Sequence, residues 1–145
     1  GHVITMESEP ASGTAYVGPT DGSYTSCGNY AITINKKLGS TSKIVLTCTY
    51  NLQMYWTGTG FDSRGYTKWV RSAPTAWTSP LFYGYWADEF NTERAWNIYY
   101  NTSNAFTDTS SATGNHTYTM WVGDARGHHA VTTHPAHIIA MEVKI

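Results

Sequence analysis

Lys43-Ile-Val-Leu-Thr-Cys-Thr-Tyr-Asn-Leu52 settles the fold class. Ile44, Leu46, Cys48, Tyr50 and Leu52 fall on one face of an extended chain, and Val45, Thr47, Thr49 and Asn51 on the other. A period of two held over ten residues is the mark of a half-buried β-strand. The same alternation recurs on both sides. Residues 30–35 place Ile32 and Ile34 together. Residues 95–100 align Trp96, Ile98 and Tyr100, and residues 116–122 align Tyr118, Met120 and Val122. At the end of the chain, residues 137–145 are expected to turn Ile139, Met141, Val143 and Ile145 inward, with Glu142 and Lys144 outward. Shorter strands are expected near residues 3–6, 14–17, 67–71 and 81–86.

Between these runs lie turn signals. Residues 36–42 carry Gly39 and read as a turn. Residues 101–115 and 124–135 are rich in Thr, Ser, Asn, Asp, His and Gly, and read as two polar loops. No window free of Gly or Pro holds the i, i+3, i+4, i+7 spacing of a helix. Strands at intervals of roughly ten residues with turns between them indicate an all-β antiparallel sandwich or barrel. The chain has no internal repeat and no linker. Residues 1–145 therefore read as a single domain, and the opening Gly1-His2 suggests one cut from a longer chain.

Composition agrees. Aromatic residues make up 14% of the 145, with 11 Tyr and 6 Trp, and there are 22 Thr, side chains that suit a pleated surface. Charged residues are 13%, against a usual share of about 25%. Nine Lys and Arg against ten Asp and Glu give a net charge of -1. Without a basic excess, phosphate neutralisation cannot drive binding, so nucleic acid is not an expected partner. No apolar run reaches the length of a membrane helix, so no membrane insertion is expected. Cys27 and Cys48 sit in no CxxC pair and beside no His, which leaves thiol chemistry unsupported. Cys48 lies in the alternating strand and reads as a small buried hydrophobe, with a bridge to Cys27 left open.

Three stretches in the last third carry a resemblance: Thr92-Glu-Arg-Ala-Trp-Asn-Ile-Tyr-Tyr100, Thr113-Gly-Asn-His-Thr-Tyr-Thr-Met120 and Ile138-Ile-Ala-Met-Glu-Val-Lys144. They resemble the closing strands of C1q/TNF-like jelly-roll domains found at the tips of phage tail fibres and phage-like bacterial fibres. The likeness covers residues 30–54 and 92–145. It implies an antiparallel jelly-roll sandwich that assembles as a homotrimer at the C-terminal tip of a longer fibre protein. It also implies an extracellular place, on a virion fibre or a bacterial cell-surface fibre, and recognition of a glycan or envelope component of a target cell. In that topology both termini lie at the base. The loops at residues 56–66 and 126–134 would then share the apex, with residues 101–115 at the base.

The middle of the chain lies outside the resemblance and is dense in aromatics. Gly58, Gly60 and Gly65 make residues 56–66 read as a loop carrying Trp56, Phe61, Asp62, Arg64 and Tyr66. Aromatic faces stack on the C–H side of a sugar while Asp and Arg bond its hydroxyls, so these five are candidate ligand contacts. The plainer reading puts such aromatics in the core or a subunit interface, above all Trp69, Phe82 and Trp86 in expected strands. Arg126, His128 and His129 are the matching candidates across the apex. His128, His129, His134 and His137 are four of the 6 His. Imidazoles suit zinc or nickel, but the spacing is His-His and His-x-x-His with no Cys nearby, and no metal or other cofactor is expected.

No hydrolase, zincin or phosphate-loop motif is present. Asp88, Glu89 and Glu93 could supply a carboxylate pair for glycoside cleavage, yet acids at a strand edge are more often simply solvated. The expectation is a non-enzymatic recognition tip. The alternative is a structural trimerisation cap that binds nothing.

Overall fold

The computed structural model describes residues 1–11, 16–17, 23–56, 62–80, 82–87, 96–124 and 129–145. Its strands are β1 (Val3–Ala11), β2 (Tyr16–Val17), β3 (Tyr24–Lys36), β4 (Ser42–Trp56), β5 (Asp62–Arg71), β6 (Trp77–Thr78), β7 (Phe82–Ala87), β8 (Trp96–Asp108), β9 (Gly114–Asp124) and β10 (His129–Lys144). A single 3-10 turn, Gly39–Thr41, joins β3 to β4. The strands make two five-stranded antiparallel sheets. One runs β1-β10-β4-β8 with β2 added on β10, and the other runs β3-β9-β5-β6 with β7 added on β5. The fold is an antiparallel jelly-roll sandwich, as the alternation and the resemblance predict.

Alternation builds the core between the sheets. Ile32 and Ile34 of β3, Ile44, Leu46, Cys48 and Tyr50 of β4, Trp69 of β5, Tyr118, Met120 and Val122 of β9, and Ile138 and Ala140 of β10 are all buried. Each aliphatic side chain taken from water contributes about 1.5–3 kcal/mol. Two cross-sheet contacts fix the strand directions. The Trp69 indole N–H donates to Cys48 Sγ at 3.1 Å, and Tyr50 and Thr67 share a hydroxyl–hydroxyl bond. As β4 advances, its partner on β5 recedes, so the end of β4 faces the start of β5.

That geometry sorts the chain into two ends. At the upper end Trp56 pairs with Trp96, Tyr55 with His129, Asp62 with Ala87, Gly65 with Asp124, and Tyr24 with Gly123. At the base Val3 pairs with Val143, Lys36 with Gly114 and Ile44 with Asp108, and the Ile145 amide bonds the Thr41 carbonyl at 3.0 Å. Both termini lie at the base. At the turn into β9, Gly114 takes φ +95°, a conformation L side chains rarely adopt.

Four expectations need correction. The inward face of β10 is Ile138, Ala140 and Glu142; Ile139, Met141 and Val143 are half-buried on the outer face, and Ile145 is 73% exposed. This stretch carries apolar residues on both faces, so its period was legible but its phase was not. Residues 101–108 are strand, not loop, because β8 pairs with β4 along its whole length. Only residues 109–113 turn. Residues 129–135 likewise belong to β10, with a register shift between Thr133 and His137 where Pro135 cannot donate to the ladder. Finally, the loop expected over residues 56–66 is strand at Trp56 and over residues 62–66, where Gly65 pairs with Gly84, and residues 57–61 lie outside the described residues. Cys27 and Cys48 are both buried and free, and burial pushes the Cys48 thiol up to about 12.

Buried charge is concentrated at the base. Arg71 of β5 donates from Nε to Asp108 Oδ2 at 2.7 Å and from Nη2 to Oδ1 at 3.4 Å. Tyr118 adds its hydroxyl to Oδ2 at 2.7 Å and the Ser110 amide bonds Oδ1 at 2.9 Å. Nearby, Glu142 accepts from the Lys37 amide at 2.8 Å, the Leu38 amide at 2.7 Å and the Ser42 hydroxyl at 2.6 Å. Lys36 is buried beside it and donates to the Leu38 and Gly39 carbonyls. The buried His116 ring bonds the Gly114 carbonyl and the Ser110 hydroxyl.

Candidate functional site

The candidate residues fall at the upper end wherever they are described. Trp56 is the last residue of β4 and Asp62 the first of β5. His129 opens β10 and pairs with Tyr55, next to Trp56 in register. Segments 57–61 and 125–128 therefore leave from and return to the same end of the sandwich. Phe61, Arg126 and His128 lie outside the described residues, as do Asp88, Glu89 and Glu93. For Trp56, Asp62, Arg64 and His129 the backbone placement is what is described.

Strand alternation then ties three of the candidates to one surface. Asp62, Arg64 and Tyr66 occupy successive same-face positions of β5, followed by Lys68 and Val70. The intervening Thr67 and Trp69 are buried in the core, so this is the outer face of the β3-β9-β5 sheet. Register brings two further rows onto it. Tyr24, Gly123 and Tyr66 lie side by side on β3, β9 and β5, and Ser26, Trp121 and Lys68 form the next row toward the base. Tyr24, Tyr66, Lys68 and Trp121 are all half-buried.

Gly123 gives this surface its shape. A Cβ on Gly123 would lie 2.7 Å from the Ser23 carbonyl oxygen and 2.8 Å from Tyr24 Cδ1. The Tyr24 ring thus rests on bare backbone, lower than it could on any side chain. Over that ring sits Lys68 Nζ, 3.9 Å from the centroid, a cation–π contact of about 0.5–1 kcal/mol at such exposure. The Ser23 oxygen belongs to the backbone and can move only with β3. Gly123→Ala is therefore expected to destabilise the domain by about 1–3 kcal/mol, read as a lower urea midpoint. An unchanged midpoint would mean that Tyr24 does not rest on the Gly123 backbone.

Tyr24, Lys68, Trp121 and Gly123 are not among the sequence candidates. A signal was there: 24 and 26, 121 and 123, and 66 and 68 are same-face positions. Joining them needs the β3-β9-β5 neighbourhood, which crosses the chain.

The outer face of the other sheet has a different chemistry. Val3 and Met6 of β1 are 47% and 58% exposed. Beside them lie Val143, Met141 and Ile139 of β10 and Val45 of β4, all half-buried. Lys43, at the base edge, is the one charged residue within these rows among the described residues. Toward the upper end the exposed Ser8 hydroxyl and His137 Nε2 bond at 2.9 Å. Among the described residues no group of three or more His, Cys, Asp or Glu is placed to hold a metal ion, and no helix is long and apolar enough to cross a membrane.

No protein-family model matches the chain, and no curated protein matches it. Solved structures similar to it include the infectious bursal virus derived T=1 particle, at 13% identity and a TM-score of 0.36 over 97% of this chain and 36% of that one. The infectious bursal disease virus VP2 subviral particle is similar at 11% identity and a TM-score of 0.35, over 97% of this chain and 38% of that one. The chain spans little more than a third of the length of these neighbours, 36% and 38%. At such scores the likeness carries no argument about what this chain does.

Proposed function

We propose that the chain is a recognition domain of a virion or bacterial cell-surface fibre, self-associating as a homotrimer and binding a cell-surface glycan or envelope component. The observation that carries this reading is the row of half-buried aromatic side chains and Lys68 on the outer face of the β3-β9-β5 sheet. From Tyr66 the Arg64 and Asp62 positions carry this face on toward the end opposite both termini. Flat rings beside donors and acceptors suit shallow sugar sites. Self-association is supported by the other sheet. Six apolar residues, Val3, Met6, Val45, Ile139, Met141 and Val143, share a face whose cover a second copy of the chain would supply.

Light scattering tests the assembly. The expected mass is three times 16.1 kDa, and Met141→Asp is expected to reduce it to 16.1 kDa by burying a charge in the interface. A wild-type monomer would refute the trimer. A glycan array then tests recognition. Retention of one coherent sugar class, lost in Trp56→Ala/Tyr66→Ala with the mass unchanged, supports the reading. A second reading, a structural trimerisation cap, rests on the same apolar face. A trimer that no glycan or cell surface retains would favour it.

A further inference from the structure

We propose that the ligand lies along the side of the sandwich, on Tyr24, Tyr66, Trp121 and Lys68, and that it is a carboxylate-bearing glycan. This inference rests on the recognition reading above and specifies where the site is and what it takes. A tip site built from the 57–61 and 125–128 connections would not need any of Tyr24, Lys68 or Trp121.

Two side-chain groups on this face have work left to do. The Trp121 indole N–H finds no hydrogen-bond partner among the described residues, although the ring is half-buried. Half-buried Trp ordinarily satisfies that donor, and a sugar hydroxyl or ring oxygen would do so here. Lys68 has no carboxylate partner among the described residues; its ammonium rests on the Tyr24 ring. A cation held on an aromatic ring is positioned without being neutralised. It remains available for an anion approaching from solvent, and a carboxylate bound there makes a charge-assisted hydrogen bond. Trp121 and Lys68 are register neighbours, so a pyranose ring stacked on Trp121 would bring a carboxylate substituent to Lys68. Asp62, six residues up β5 from Lys68, is the one acidic position on this face of β3, β9 and β5 among the described residues. Below the aromatic rows, Thr33 and Thr117 bond each other at 2.7 Å, and Asn35 donates to Asn115 at 2.8 Å. These uncharged pairs are engaged with one another, which leaves the Trp121 indole N–H and the Lys68 ammonium as the groups open to a ligand.

Commercial polysaccharides decide the matter. Alginate and polysialic acid would be immobilised, each beside its carboxyl-reduced form, and presented to the assembled protein. Retention on a carboxylated polymer, at least about tenfold weaker on its reduced form, is expected. Lys68→Gln and Trp121→Ala should each weaken retention about tenfold, with Lys68→Arg close to wild type and all three keeping the wild-type fold and assembled mass. Equal retention on carboxylated and reduced polymers would overturn the ligand class. Full retention by both Lys68→Gln and Trp121→Ala would overturn the site, with recognition left standing at the tip. If the wild type is held by an array sugar but by neither polyanion, the acidic-ligand assignment fails alone. If nothing holds it, the recognition reading fails as well.

Discussion

Asp108→Ala is expected to lower the melting temperature of the domain by about 10 °C. The side chain is 3% exposed and links the sheets, since Asp108 belongs to β8 while Arg71 and Tyr118 belong to β5 and β9. Removing it strands the Arg71 guanidinium, itself 2% exposed, and deprives Tyr118 of its acceptor. Breaking one partner out of a buried pair costs about 3–5 kcal/mol, because the remaining charge stays desolvated. Near this chain length each kcal/mol moves the midpoint by about 2–4 °C. Carbonyl and hydroxyl oxygens of Thr75 still hold Arg71 after the change, which places the effect within that range. Replacing both charges, Arg71→Met with Asp108→Leu, should recover most of the loss, since the desolvation of two ions is removed along with their attraction. A melting temperature within about 2 °C of wild type for Asp108→Ala would show that the pair is not holding the sheets.

The same residues mark where sequence reasoning stops. Alternation located β3, β4 and β9 with the right faces inward, because Ile32, Ile34, Ile44, Leu46, Tyr118, Met120 and Val122 face a core with polar neighbours on the other side. It failed on β10, where Ile139, Met141 and Val143 outweigh Ile138 and Ala140 in hydrophobicity. The phase is set instead by Glu142, whose carboxylate finds two backbone amides and a hydroxyl between the sheets. A buried acid with complete bonding looks like a solvated acid in a sequence. Polar composition also hid the ends of β8 and β10. Asn104, for instance, is a strand residue that donates to the Tyr50 hydroxyl at 3.1 Å. Of the candidate site, Asp62, Arg64 and Tyr66 were legible as a group, but as loop residues and not as one face of a strand, because Gly58, Gly60 and Gly65 read as turn signals. Their partners on β3 and β9 were not legible, because 40 or more residues separate Tyr24 from Tyr66 and Tyr66 from Trp121.

Acid should weaken the domain through Glu142, and Glu142→Gln should remove that sensitivity. Burial by itself raises the Glu142 carboxyl, but the Ser42 hydroxyl, the Lys37 and Leu38 amides and the Lys36 charge outweigh it and hold it below its ordinary 4.5. A depressed folded value means that the unfolded chain binds the proton more readily. The stabilisation is therefore complete above pH 4.5, and it is lost as pH falls through the folded value. Lys36 acts at the other extreme. Burial lowers it below 10.5 against the pull of Glu142 and Asp108, so stability rises with pH in the window just beneath 10.5. In Glu142→Gln the amide nitrogen must face one of the donors that the carboxylate accepted from, and Lys36 loses its nearest compensating charge. The loss at neutral pH is expected to be about 3 kcal/mol. It should shrink as both proteins are taken down in pH through the folded value, where the wild-type carboxyl itself takes up a proton. Urea midpoints measured across that range give the comparison. Parallel curves, with a constant gap at every pH, would mean that Glu142 stabilises by shape alone and that the buried charge at the base carries no acid sensitivity.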